Sequence, residues 1–218
     1  QSGTSGGTLV TDRSESIPPY FAGHWVEVRR DGSLLGSWRI GTISDRTVTL
    51  EPSGTETIAL QPGDAWQGVY RFDAADLAGQ SILRSDDPVR VGMTTISDDV
   101  TVDRITSTHL TVKAGATLTH AASTATEVHG LDLRVSGTLT IEEGGSIDVT
   151  GRGYPAAATY PGAAGSTNAG GSHLGTGGVS GGAARAATYG SVERPREAGS
   201  GGWGSYAKPG GGVVRIEA

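Results

Sequence analysis

The chain has 218 residues, a formal net charge of −6, 36 glycines and no cysteine. The acidic balance argues against nucleic acid as a partner, because binding a phosphate backbone needs a basic surface. The absence of cysteine excludes disulfide frameworks and thiolate metal sites, and no apolar run approaches the roughly 20 residues of a membrane span.

The first 19 residues are rich in Ser, Gly and Thr and end in two prolines, a composition typical of an extended arm or linker. One short strand is predicted there, over residues 8–11. Residues 20–78 are predicted to form a compact N-terminal β unit. Its first two strands, residues 24–30 and 33–43, alternate apolar and polar side chains around Asp31-Gly32, a strong hairpin signal. Further strands are predicted at 46–51, 57–60 and 66–72.

Residues 79–150 carry the most informative pattern. The segment HLTVKAGATLTH, which begins at His109, aligns with GLDLRVSGTLTI, which begins at Gly130, at an offset of 21 residues. This alignment matches Leu110 with Leu131 and Leu118 with Leu139. A fixed period near 20 residues, made of short strands with Gly or Ser at the corners, is typical of stacked rungs. The predicted fold class is therefore all-β, a parallel β-helix or solenoid over residues 79–218. An ordinary antiparallel sandwich is the alternative.

A glycine-rich excursion, residues 151–212, is predicted as a long loop inserted into the solenoid before a final strand at 213–217. Loops of this length are usually functional or disordered. Glycine would allow close backbone packing here, and we expect the tyrosines and Trp203 to anchor the segment.

The runs LRVSGTLTIEEGGSIDVTGRGYP, GGSHLGTGGVSGG, ATYGSVERPREAGSGGWGS and GGGVVRIEA resemble the glycine-rich β-helix modules of very large bacterial secreted or cell-surface, adhesin-like proteins. The resemblance covers about the last 90 residues, with a further similar stretch at 63–87. It implies a parallel β-helix, a secreted or cell-surface location, and a surface, adhesive or matrix-forming role. No catalytic residues come with it.

One stretch of carboxylates is a candidate metal site. Calcium favours oxygen ligands from such clusters, often at corners of repeats, so calcium is the one cofactor considered. Neither an EF-hand spacing nor a GGxGxDxUx repeat is present, and solvated turn aspartates are the alternative. The candidate ligands are Asp86, Asp87, Asp98, Asp99 and Asp103.

No catalytic residue is predicted. Glu142 and Glu143 are adjacent and point to opposite faces of a strand, whereas glycoside hydrolysis needs two carboxylates across a groove. The histidines lack a zinc spacing, and no GxSxG nucleophile elbow occurs. A polysaccharide-degrading β-helix is nevertheless part of the alternative reading, since Lys113 and Arg134 align on adjacent repeats as a short basic ladder.

Five aromatic side chains are interpreted first as core and strand packing, with Trp203 as the exception because it lies in the glycine-rich loop. A platform on which sugar rings stack is the alternative. The aromatic candidates are Trp25, Trp38, Trp66, Trp203 and Tyr70.

The leading functional hypothesis is a non-enzymatic extracellular structural protein, either an adhesin module or a self-assembling filament or matrix subunit. An uncapped sheet edge exposes unpaired N–H and C=O groups that template another strand, which predicts head-to-tail self-association. Surface glycans are a second expected partner, and a carbohydrate-binding or polysaccharide-degrading protein is the alternative. The candidate assembly residues are Thr8, Leu9, Val10, Trp203, Tyr206, Val213, Val214 and Ile216.

Overall fold

The computed structural model describes residues 7–83, 85, 87–161, 169–179, 181–182, 184–204 and 207–218. These residues contain a single-turn 3-10 helix, Pro19–Phe21, and no α-helix. No helix among them is long and apolar enough to span a membrane. The strands are β1 Gly7–Val10, β2 Trp25–Arg30, β3 Ser33–Ser44, β4 Thr47–Glu51, β5 Ala65–Leu77, β6 Ile82–Leu83, β7 Val89–Ile96, β8 Val100–Val102, β9 Arg104–Val112, β10 Thr117–Thr119, β11 Leu131–Ile141, β12 Ser146–Ile147 and β13 Val214–Glu217.

The first of two compact units comprises residues 1–72 and 85–90. Its antiparallel strands lie in the order β1-β4-β3-β2-β5. The predicted hairpin is confirmed: β2 pairs with β3, and Asp31 and Gly32 at the turn have φ angles of 49° and 80°. Two positive φ angles give the mirror-image turn that matches the natural twist of paired strands.

The core of the first unit is formed by alternate side chains of its strands, including Val26, Val28 and Leu50. The predicted strand at 57–60 is wrong, since these residues run as irregular chain, although Ile58 is only 1% exposed. The apolar residues of this segment are buried without strand pairing, so their pattern in the sequence resembles that of a strand. Within the predicted N-terminal arm, residues 7–10 form β1, which pairs antiparallel with β4 and buries Leu9.

The second unit comprises residues 73–84 and 91–218. Consecutive strands alternate between two parallel groups, β7-β9-β11-β13 and β6-β8-β10-β12. Side chains from both groups meet in one apolar core. Its most buried members are Ile96, Val100, Leu110, Val112, Leu118, Leu131 and Leu133.

The predicted parallel β-helix or solenoid is wrong: the strands form one nine-stranded mixed sheet and one four-stranded parallel sheet. The 21-residue offset is not the register of any pairing. Leu110 lies beside Leu139, and Leu118 lies beside Ile147 in the smaller sheet. Leu131 and Leu139 stand eight residues apart on the same strand, so an alignment slipped by eight residues still matches leucine with leucine. The sequence repeat therefore could not fix which strands pair.

The glycine-rich segment between β12 and β13 is packed through its backbone. The N–H of Gly153 donates to the carbonyl of Gly210 at 2.8 Å, and the N–H of Tyr154 donates to the carbonyl of Gly199 at 2.9 Å. A Cβ atom at Gly153 or Gly210 would overlap the backbone carbonyl of Gly199. Glycine is therefore required where chain passes directly against chain.

Tyrosines form the centre of this segment. Tyr154 is fully buried, and its ring meets those of Tyr160 and Tyr189 edge-on at 6.4 and 6.3 Å. The hydroxyl of Tyr189 donates to the carbonyl of Ala198 at 2.7 Å. Burial raises the pKa of Tyr154 to about 12, so this phenol stays protonated. The tyrosines thus pack on one another.

Candidate aromatic binding site

A cavity of about 300 Å³ opens in the first unit. Its floor is apolar and includes Val26, Val48 and Val69, which are at most 4% exposed. Aromatic side chains form its walls. Concave, mainly apolar sites of this size that carry a few polar groups are the usual places where small ligands bind. The aromatic walls are Phe21, His24, Trp25, Trp66 and Tyr70.

Contacts between rings hold these walls in place. Phe21 meets His24 edge-on at 5.4 Å, and His24 meets Tyr70 edge-on at 5.8 Å. The guanidinium carbon of Arg71 lies 4.4 Å from the centre of the Trp25 ring, a cation–π contact. Arg71 therefore covers one face of that indole. Tyr70 is 37% exposed, so part of its ring is open to solvent.

Three polar side chains, Arg13, Gln67 and Asp87, line the same cavity. The segment that carries Asp87 is fixed to the first unit at two points. The N–H of Tyr70 donates to the carbonyl of Pro88 at 2.9 Å. Arg90 donates two hydrogen bonds, of 3.0 and 3.2 Å, to the carboxylate of Glu27, which is only 6% exposed. Hydrogen-bond donors and an acceptor thus line the same cavity as the aromatic rings.

The structure brings together three of the five aromatic candidates, Trp25, Trp66 and Tyr70. Trp38 lies instead in the core at 6% exposure, with its Nε1 donating to Glu56 Oε1 at 2.9 Å. Trp203 belongs to the second unit and is 42% exposed. Sequence reasoning missed Phe21 and His24. Their only signal was the aromatic cluster YFAGHW directly before β2.

The aspartates proposed as calcium ligands lie in separate environments. Asp98 accepts the N–H groups of Gly79 and Asp99, and Asp99 accepts the N–H of Thr117. Asp103 contacts His129 Nδ1 at 2.8 Å, while Asp87 lines the aromatic cavity and Asp86 lies outside the described residues. The described part of the chain contains no group of three or more metal-binding side chains. The calcium site stays a prediction.

The proposed basic ladder of Lys113 and Arg134 does not form. Lys113 Nζ lies 2.7 Å from Glu142, whereas Arg134 contacts Asp132 at 3.2 Å. The true register, in which Val112 pairs with Ile141, places Lys113 beside Glu142. The hydrogen bond from Lys113 lowers the pKa of Glu142, so this carboxyl is poorly suited to donate a proton as a general acid.

The candidate assembly residues fall at two sheet edges and in the glycine-rich segment. Thr8, Leu9 and Val10 belong to β1 and are already paired with β4 of the same chain. Val214 and Ile216 belong to β13, which pairs with β11, and Val213 directly precedes it. Trp203 lies in the glycine-rich segment, and Tyr206 lies outside the described residues.

No protein-family model, curated protein or solved structure matches this chain.

Proposed function

We propose that the protein is a non-enzymatic, glycan-binding module of an extracellular or cell-surface bacterial protein, of the adhesin type. The observation that carries this proposal is the cavity in which Trp25, Trp66 and Tyr70 surround a space with polar side chains at its border. The resemblance of the glycine-rich region to modules of bacterial surface proteins supports the extracellular location.

A sugar ring has chemistry complementary to this cavity. Its C–H groups pack on aromatic faces, while its hydroxyls exchange hydrogen bonds with side chains that both donate and accept. Arg13 and Gln67 supply donors, and Asp87 supplies an acceptor. A cavity of about 300 Å³ is small, so the ligand would be one or two sugar residues, such as the end of a chain.

The composition of the cavity favours binding over hydrolysis. Among its described lining residues the only carboxylate is Asp87. Glycoside hydrolysis ordinarily needs a pair of carboxylates, one as acid and one as base or nucleophile. Asp87 alone can orient a hydroxyl but has no partner for that reaction. The proposal therefore assigns it a binding role.

The test is a glycan array followed by calorimetry with the best neutral or acetylated sugar. Replacing Tyr70 by Ala should weaken binding at least tenfold, because the open aromatic face is removed. Phe72→Ala is the matched control, since Phe72 is 49% exposed and does not line the cavity. Circular dichroism checks that both variants fold. An array without any sugar ligand, or equal losses in the two variants, would reject the proposal.

Self-association by strand addition is a second proposal, and β13 is the observation that favours it. Within the described residues this strand pairs on one side only, with β11. Residues 7–10 of the N-terminal segment form β1, which is already paired with β4 in the same chain, so they are not free to supply the added strand. The open side of β13 would instead receive a strand from a second copy.

A further inference from the structure

A polar groove of about 350 Å³ lies on the four-stranded parallel sheet of the second unit. It is distinct from the aromatic cavity in both location and chemistry, since all of its lining residues belong to the second unit. Eight of its lining side chains carry hydrogen-bonding groups. They are Gln80, Asp99, Thr101, Thr117, Thr119, Asp148, Thr150 and Arg152.

The alternation of a β-strand places these groups on one face. Val100 and Leu118 are at most 1% exposed and point into the apolar core. Their neighbours Thr101 and Thr119 therefore point to the opposite face, the face of the groove. In the parallel register Thr101 lies directly beside Thr119. The two hydroxyl groups thus form a short row across β8 and β10.

Thr119 is the observation that marks the groove as a binding site. This side chain is only 6% exposed, yet its Oγ1 has no hydrogen-bond partner among the described residues. A buried hydroxyl without a partner costs free energy, and native proteins seldom keep one without a reason. A ligand in the groove that hydrogen-bonds to Oγ1 would remove this cost.

The two carboxylates are held in fixed positions. Asp99 Oδ1 accepts the N–H of Thr117 at 3.1 Å, and Asp148 Oδ1 accepts the N–H of Thr150 at 2.8 Å. Hydrogen bonds from Thr150, together with the nearby charge of Arg152, lower the pKa of Asp148. Asp148 is therefore a carboxylate at neutral pH, held at the border of the groove.

The groove mixes acceptors with donors, and this mixture selects the ligand. A cation would need acceptors only, and an anion would need donors only. Sugar hydroxyls donate and accept at once, so they match an array of carboxylates, hydroxyls, an amide and a guanidinium. We propose that this groove is a second binding site, for a neutral oligosaccharide chain, and that it works independently of the aromatic cavity.

The width of the sheet sets the expected length of the bound segment. The groove reaches from β8 across β10 to Asp148, which directly follows β12, and neighbouring strands lie about 4.8 Å apart, so it extends about 10 Å. That distance corresponds to a segment of roughly two sugar residues. Such a site suits the interior of a chain, whereas the enclosed aromatic cavity suits a chain end.

The experiment is NMR titration of the labelled full chain with neutral gluco- and manno-oligosaccharides, and with chitosan oligomers, oligogalacturonate and CaCl₂ for comparison. A neutral chain should shift the amide signals of Thr101 and Thr119. Asp148→Asn and Thr119→Val should each weaken this binding at least fivefold. Asp73→Asn is the matched control, because Asp73 is exposed on β5 and does not line the groove.

The outcome is separable from that of the aromatic site. Binding that survives Tyr70→Ala but not Thr119→Val supports the groove, whatever the array shows for the cavity. Since valine has the shape of threonine without its hydroxyl, Thr119→Val should keep the thermal stability of the parent. The proposal is overturned if no neutral oligosaccharide shifts the groove signals, if Asp73→Asn weakens binding as much as Asp148→Asn, or if only the cationic, anionic or calcium probe binds.

Discussion

His120 is a buried side chain that connects two distant parts of the second unit. Its Nδ1 donates to the carbonyl of Ala121 at 2.7 Å, and its Nε2 accepts the N–H of Val213 at 3.2 Å. Both bonds require the neutral imidazole with its proton on Nδ1. A Cβ at position 212 would overlap this ring, so Gly212 provides the room for it. His120 thereby holds the chain just before β13.

This contact should make stability depend on pH. Burial lowers the pKa of His120 below its ordinary value of 6.5, against the smaller opposing effects of its hydrogen bond to Ala121 and the charge of Asp103. The charges of His129 and Arg152 lower this pKa further. The unfolded chain therefore binds a proton more readily than the folded one. The contribution of His120 is complete above pH 6.5 and is lost as the pH falls below that value towards the folded-state pKa.

Urea unfolding from pH 5 to pH 8 checks this expectation. The parent protein should lose stability below pH 6.5, and His120→Gln should flatten that part of the profile. His109→Gln is the control, because it replaces a histidine that is exposed on β9 rather than buried. A parent profile that is flat through this range, or equally altered by both variants, would contradict the assignment.

At the scale of the element, the glycine-rich segment depends on particular glycines. Gly210→Ala should lower the free energy of unfolding by about 1–3 kcal/mol, because a methyl group would be forced against a backbone carbonyl. Gly178→Ala is the matched control, since nothing lies within 4 Å of its Cβ position. Denaturant unfolding of both variants measures the difference. Equal stability of the two would show that close packing is not what position 210 requires.

One side of the edge strand β13 carries backbone groups that a single substitution can remove without affecting the pairing with β11. The N–H of Leu131 donates to the carbonyl of Val213, and Leu131 is in register with Val214. In a parallel pair the N–H and C=O of one residue point to the same side, so the backbone of residues 213, 215 and 217 faces β11. The backbone of Val214 and Ile216 faces away from it, towards the open side.

Ile216→Pro should therefore prevent strand addition while keeping the bonds to β11, because proline removes only the outward N–H. We expect the parent to form elongated assemblies in electron micrographs and Ile216→Pro to stay monomeric in sedimentation. Ile216→Ala retains the N–H and should still assemble. A parent that is monodisperse at high concentration would contradict the self-association proposal, whereas assembly of Ile216→Pro would show that another surface is used.

At the scale of the whole molecule, the chain forms two units with different chemistry. The first unit presents an aromatic cavity between antiparallel strands, and the second presents a polar groove on parallel strands. If both proposed sites bind glycans, the first unit would hold the end of a chain and the second unit its interior.

The amino-acid sequence by itself determined the local features, which are the strands within residues 24–51 and the hairpin at Asp31-Gly32. Alternation of apolar and polar side chains and positive φ angles are properties of neighbouring residues, so they can be read locally. Only the tertiary structure decided the pairing of the strands, because the eight-residue spacing of leucines fits more than one register. It alone also decided that Phe21, His24 and Asp87 meet at one cavity and that Thr119 is buried without a partner, since both depend on residues far apart in the chain.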